Sequence, residues 1–346
     1  MKKFTPTFLI SFICLCPAYA CSSDTTIKHR FPESALSSAS LLEGDTVFRF
    51  QEQDFWVNAF YRNGRIITVS PKGDKLIHVL DLNTGDTVYR ALDYGAEGDK
   101  FLAVFPRNYQ DTIVLADHLK QQIIFFNIDS IAESDSYNPR SMKLTMDKVA
   151  PSTTVIRYTG GRLLGLNPYC FKTDDGRFDN GDDRRFILSD SNMVFPEFDK
   201  HKYYTLNVAQ GTVLVNSDAD RIIFMHFNID IMEVYEYSSL KKLYEINGPV
   251  DIVNDFDDFD NGMIVILGKH NNAYLCATGQ DDWLIAAFQS QGITYLLQTD
   301  WDGRLIRTYC IGKNVPYDLS LSEDGKYLYS TQYTSEDRQV LIRYKL

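Results

Sequence analysis

The chain has 346 residues, 44% of them hydrophobic and 23% charged, and its 46 acidic against 35 basic side chains give a formal net charge of −11. That apolar fraction supports a large folded core. The acidity argues against nucleic acid or anionic lipid as partners, because both are bound through basic patches.

Residues 1–20 have the three zones of an export signal: Met1, Lys2 and Lys3, an apolar stretch over 8–15, and the small residues Ala18 and Ala20 around Tyr19. At roughly eight to ten residues the stretch is far short of the ~20 that span a bilayer, so it reads as a signal removed after Ala20. Cys21 follows directly, which makes the start lipobox-like, with Cys21 as the diacylglycerol acceptor and mature N-terminus. Tyr19 and Ala18 depart from the usual lipobox, which has a small residue and a leucine at those places. Acyl chains such as palmitate, at about 0.8 kcal/mol per buried CH₂, would hold a soluble domain on a membrane. The expected organisation is a signal peptide over 1–20, a lipid-anchored polar tether over 21–44 and a folded domain over 45–346. The expected location is the bacterial cell envelope, at the outer membrane. Loss of Lys2 and Lys3 takes the net charge from −11 to −13.

Of six cysteines, Cys14 and Cys16 leave with the signal and Cys21 carries the lipid, so Cys170, Cys276 and Cys310 remain. Three cysteines do not make a disulfide framework, and without a C-x-x-C or Cys/His cluster no metal or cofactor is expected.

Along the rest of the chain, short alternating apolar runs recur at 65–70 (RIITVS), 76–80 (LIHVL), 123–126 (IIFF) and 340–344 (VLIRY), bounded by Gly, Asp or Asn. Only 34–42 and 130–134 are candidates for short helices. Three segments superpose as strand, acidic turn, strand: 213–224, 275–286 and 319–329. Looser copies centre on Asn63-Gly64, Gln110-Asp111 and Gly160-Gly161, giving six in all. Their spacing fits one four-stranded blade per copy, and so an all-β, six-bladed propeller. The last copy stops after its third strand at Leu346, while residues 46–50 precede the first copy with no blade of their own. Pairing that strand with the C-terminal three would close the ring. Residues 263–268 (MIVILG) form a further strand, belonging either to the outer edge of blade four or to a different blade boundary.

The lipobox-like start, Thr299-Asp-Trp-Asp-Gly303 and Tyr317-Asp-Leu-Ser-Leu-Ser-Glu-Asp-Gly-Lys-Tyr-Leu-Tyr329 together make the chain resemble the TolB-like six-bladed propeller lipoproteins of Bacteroidetes, over about residues 45–346. The resemblance implies the architecture and the envelope location and transfers no catalytic residue.

Chemical motifs are absent: no G-x-S-x-G, H-E-x-x-H, Walker loop or G-x-G-x-x-G after a strand. The acidic stretch 255–262 fails as an EF-hand, because Phe259, Asp260 and Ile266 stand at its fifth, sixth and twelfth places. With the related stretch 174–183 it reads as an exposed turn. His226, in an apolar strand, reads as a core histidine, and His118 as a turn or a site residue. The loops joining second to third strands would gather at the mouth of the funnel, and 168–185 is much the longest of them. Long loops on a rigid scaffold often carry binding residues, which singles out Tyr169, Phe171 and Arg177. The same loop is also open to the reading of a decorative insertion that could be shortened at a cost of about 1 kcal/mol or less. Two functions stay open: a non-enzymatic binding or scaffolding propeller for a glycan or envelope protein, and a hydrolase or lyase acting on glycans with carboxylates ~5–10 Å apart in the funnel.

Overall fold

The computed structural model describes residues 27–50, 58–69, 74–95, 97, 100, 104–109, 112–117, 122–127, 130, 140–143, 154–159, 162–166, 171–172, 178–179, 185–189, 211–252, 256–258, 264–266, 272–334 and 338–346. The N-terminal part comprises β1 (Ile27–Arg30), α1 (Ser34–Ser37), β2 (Ser40–Leu41) and β3 (Gly44–Arg49). A first sheet then meanders through β4 (Asn58–Arg62), β5 (Arg65–Val69), β6 (Lys75–Asp81) and β7 (Thr87–Asp93). The second holds β8 (Val104–Tyr109), β9 (Thr112–Asp117), β10 (Gln122–Asn127) and β11 (Arg140–Lys143). The third is built from β12 (Thr154–Thr159), β13 (Arg162–Leu166) and β16 (Phe186–Ser189), with a small hairpin of β14 (Phe171–Lys172) and β15 (Phe178–Asp179) between the last two. The fourth runs through β17 (Gly211–Asn216), β18 (Arg221–His226), β19 (Ile231–Glu236) and β20 (Lys242–Asn247). A separate hairpin of β21 (Phe256–Asp258) and β22 (Ile264–Ile266) leads to the fifth sheet of β23 (Tyr274–Gly279), β24 (Trp283–Ser290), β25 (Ile293–Asp300) and β26 (Leu305–Gly312). The sixth is β27 (Pro316–Leu321), β28 (Tyr327–Tyr333) and β29 (Gln339–Lys345), joined antiparallel by β3.

Turn chemistry explains the hairpins. Asn63 and Gly64 sit at φ 48° and 73°, the pair of left-handed residues that a tight two-residue turn between twisted strands requires. Asp220 and Gly325, at φ 56° and 66°, stand at the corresponding turns of the fourth and sixth copies.

Middle strands are buried as unbroken runs: Leu76–Leu80 in β6, Ile123–Phe126 in β10, Ile222–His226 in β18 and Leu284–Phe288 in β24. A strand buried at successive residues is covered on both faces, so every sheet needs a neighbour on each side. The apolar clusters supply them. One joins the first and second sheets through Ile77, Val79, Ile113 and Phe126. Others join the second to the third and fourth, the fourth to the fifth, and the fifth to the sixth. The last brings Tyr329 and Leu341 of the sixth against Ile66 and Leu80 of the first.

The expected tether over 21–44 is corrected from residue 27 onward. The strand β1 adds in parallel to β20, the outer strand of the fourth sheet, with Ile27 opposite Tyr244 and Arg30 opposite Asn247. Then β2 adds in parallel to β26 of the fifth, and β3 completes the sixth. This strap covers the open backbone edges of two consecutive sheets, where unpaired N–H and C=O groups would otherwise invite association. Its apolar residues also enter the core, with Phe31 and Ala35 each only 3% exposed. Of the segment 263–268, residues 264–266 are described: among the described residues β22 pairs with β21 rather than with the outer edge of the fourth sheet.

Cys276 and Cys310 lie on β23 and β26, three strand spacings apart in one sheet, and both are free thiols. Cys170 lies outside the described residues. Because Phe31 packs among Met232, Ile246 and Trp301 rather than in a tether, Phe31→Ala should lower the unfolding free energy by about 3 kcal/mol in urea titrations. An unchanged midpoint would return residues 27–41 to the status of a linker.

Candidate functional site

A cavity of about 830 Å³ is lined by the first strands of four of the sheets, β4, β17, β23 and β27, with the turns that follow them. Within the wall, Asn58 Nδ2 donates to Asp318 Oδ2 at 2.8 Å and the Tyr61 amide donates to Ser320 Oγ at 3.0 Å, both joining the sixth sheet to the first. The Tyr61 and Tyr329 rings stack beside them, 3.8 Å apart.

One mouth of this cavity is framed by the acidic turns of the repeat. There a clasp passes from sheet to sheet. The Asn216 side chain donates to the Asp281 carbonyl at 2.9 Å, and Gln280 Nε2 donates to the Ser322 carbonyl at 2.9 Å. Glu323 then accepts from the Asn63 amide at 2.6 Å. Trp301 Nε1, donating to the Gln280 carbonyl at 2.8 Å, fixes the middle of the series. Gly325, at φ 66°, is required here: a Cβ on it would meet Gln280 Oε1 at 2.6 Å. Asp218, Asp281, Asp282 and Glu323 stay exposed around the mouth. The site is therefore a polar, acid-rimmed opening on a rigid frame, suited to recognising a polar or cationic surface.

Of the residues expected to form the site, Tyr169, Arg177 and His118 lie outside the described residues, as does Cys21, the expected lipid acceptor. Phe171 is in β14, paired with Asp179. His226 is buried at 2% exposure, its ring edge against Phe224 and Nε2 3.4 Å from Glu233 Oε1. Burial pushes its pKa down against the pull of Glu233, and it is a core histidine.

Sequence reasoning missed the charge cluster around it. Arg185, 1% exposed, forms a two-pronged bond to Glu233, Nε to Oε2 at 3.1 Å and Nη2 to Oε1 at 3.3 Å, with its guanidinium over the Phe224 ring. The Tyr235 hydroxyl donates to Glu233 Oε2 at 2.7 Å, and Lys242 Nζ is 3.9 Å from Oε1. These cations hold the Glu233 carboxyl well below the usual carboxylate range although burial opposes them. The loop 168–185 is thus not dispensable to its end, because Arg185 ties the third sheet to the fourth. The available signal was Glu233 itself, an acid inside the apolar strand IMEVYE.

A second buried carboxyl behaves oppositely. Burial pushes Asp230, on the turn between β18 and β19, up from 3.8 to about 6. Its Oδ2 has no hydrogen-bond partner among the described residues, and the Tyr274 hydroxyl, raised by burial and by the Asp230 charge, is likewise without one.

No family model matches the chain, and no curated protein matches its sequence. Solved structures of similar shape include the following two. One is a protein of Bacteroides fragilis named as a candidate exported protein: 11% identity, 92% of this chain and 99% of that one, TM-score 0.52. The other is a member of the DUF4221 family from Bacteroides vulgatus: 12% identity, 88% of this chain and 98% of that one, TM-score 0.53. At such identities the likeness is one of fold. With meandering antiparallel sheets packed face to face and the first strands of four of them around one cavity, the architecture decides itself. The fold is a β-propeller. Among the described residues of this propeller no helix is long and apolar enough to cross a membrane.

Two outcomes follow. Arg185→Ala should cost about 3–5 kcal/mol in urea unfolding, because it leaves Glu233 buried without its main partner. A loss below about 1 kcal/mol would mean that the pair carries little of the third sheet's attachment. For Asp230 the folded pKa is raised, so its contribution is present below pH ~4 and is lost as pH rises towards 6. Asp230→Asn should therefore gain stability relative to the parent between pH 4 and 7, on the order of 1 kcal/mol, since solvent reaches the half-buried carboxyl and screens part of the effect. A parent-to-variant difference that stays flat over this range would contradict the assignment.

Proposed function

We propose that the protein is an envelope lipoprotein, acylated at Cys21 and facing the outer membrane. Its six-bladed propeller, of the TolB-like kind, would be closed by β3 pairing with β29 and would act as a non-enzymatic binding or scaffolding module. Ligand is taken at the acid-rimmed mouth. Closure is supported by the apolar cluster joining the sixth sheet to the first and by the antiparallel register of Val340 with Arg49.

The observation that carries the binding reading is the disposition of the mouth's polar groups. Asn216, Gln280, Glu323, Ser320 and Asp318 are spent on bonds between neighbouring sheets, while Asp218 on one turn and Asp281 and Asp282 on another are exposed. Exposed carboxylates on a preorganised rim favour recognition, whereas acid–base catalysis needs carboxyls whose surroundings drive their pKa values apart. The fitting ligands are a glycan bearing amino groups or a basic segment of an envelope protein.

The test applies the soluble domain, residues 22–346, to glycan and peptide arrays beside the variant carrying Asp218→Asn, Asp281→Asn and Asp282→Asn. Binding that falls at least tenfold in the variant, with bound glycans recovered intact, is the expected result. Unchanged binding removes the mouth from consideration, and shortened glycans would establish a hydrolase or lyase instead. For anchoring, Cys21→Ala should release the full chain from membranes and abolish fatty-acid labelling; an unlabelled parent refutes acylation.

A further inference from the structure

The strap is tied to the outer edge of the fourth sheet from Ile27, only six residues after Cys21. Six residues span at most about 20 Å, even fully extended. A domain of some 320 residues has a radius of gyration of about 20 Å and is more than twice that across. A lipid on Cys21 therefore cannot let the domain float free: the rim where the strap begins must lie close to the bilayer.

The surface of that rim agrees with such a position. Among the described residues, the two most exposed large hydrophobic side chains are Leu41, at 71%, and Ile306, at 55%. Both are on the outer edge of the fifth sheet, Leu41 in the strap opposite Cys310 and Ile306 on the neighbouring strand β26. Of the acids there, Asp251 is paired with Arg30, and Asp302 with Arg221 at 2.9 Å and Arg304 at 3.7 Å, while Glu33 and Glu43 are exposed.

We propose that the strapped rim of the fourth and fifth sheets rests on the membrane, with Leu41 and Ile306 at the headgroup level of the bilayer. This rests on acylation of Cys21, proposed above. It adds an orientation, in which the channel mouth is left to solvent and to the ligand.

The test uses the full acylated chain in phosphatidylethanolamine–phosphatidylcholine vesicles containing nitroxide-labelled lipid. A fluorophore is placed at Leu41→Cys, Ile306→Cys or, on β7 of the first sheet, Val88→Cys, with Cys170 and Cys310 changed to serine. Quenching at 41 and 306 should exceed that at 88 at least threefold. Equal quenching at the three positions, in protein whose N-terminal peptide carries the acyl mass, overturns the orientation. An N-terminal peptide without acyl mass overturns the anchoring reading instead. Two rim positions are used so that a local disturbance by one label cannot imitate either result.

Discussion

The structure depends on a constraint on burial: middle strands such as Leu76–Leu80 and Leu284–Phe288 are apolar at successive positions, so no sheet here can keep a face in water. A fully buried side chain of this kind contributes about 1.5–3 kcal/mol relative to exposure. A single sheet leaves half of that unrealised. The solution adopted is repetition, each sheet being the neighbour that covers the next, and the sixth lying against the first.

Stacking by apolar faces alone is tolerant of sliding, because hydrophobic contact has no direction. The hydrogen-bonded clasp removes that freedom. Asn216, Gln280 and Glu323 follow the first strand of successive sheets, and each meets backbone of the next sheet at the same level of the cavity. Backbone partners do not depend on the neighbour's side chains, so the device can be repeated while the turns vary. The acidic turns thus have two tasks: their carbonyls and amides hold the sheets in register, and their carboxylates, left exposed, give the mouth its charge. The binding reading follows from this division of labour, since a rim fixed by its backbone presents carboxylates at defined positions with little ordering cost.

Much of this was legible in the sequence. The Asn-Gly and acidic turns locate hairpins among the described residues, and the all-β class follows from the short alternating runs. The unpaired strand at 46–50 found its partner in the C-terminal three. The strap was not legible. Residues 27–41 are mostly polar because an edge strand joined by backbone bonds needs no alternating apolar pattern, so its pairing leaves no periodic trace. Arg185 was hidden differently: it ends a long loop, and its partner Glu233 is 48 residues away. Only the tertiary structure places a guanidinium over Phe224 and beside that acid. The polar groups framing the described cavity occupy short turns, which loop length does not single out.

The strap and the clasp act at opposite radii of one sheet stack. The clasp holds the inner turns with hydrogen bonds that solvent can reach, each contributing about 0.5–1.5 kcal/mol. The strap holds the rim through two parallel strand additions and the burial of Phe31, a larger and less reversible contribution. Loosening should therefore begin between the sheets that the strap does not touch, with the fourth, fifth and sixth opening last. The buried Arg185–Glu233 pair lies where the third sheet meets the fourth, one of two boundaries between strapped and unstrapped parts, the other being the contact of the sixth sheet with the first. A buried ion pair tolerates misalignment poorly, because a separated charge in the interior costs several kcal/mol. Its location at that boundary makes the junction all-or-none, and couples the half of the propeller that the strap secures to the half that it does not.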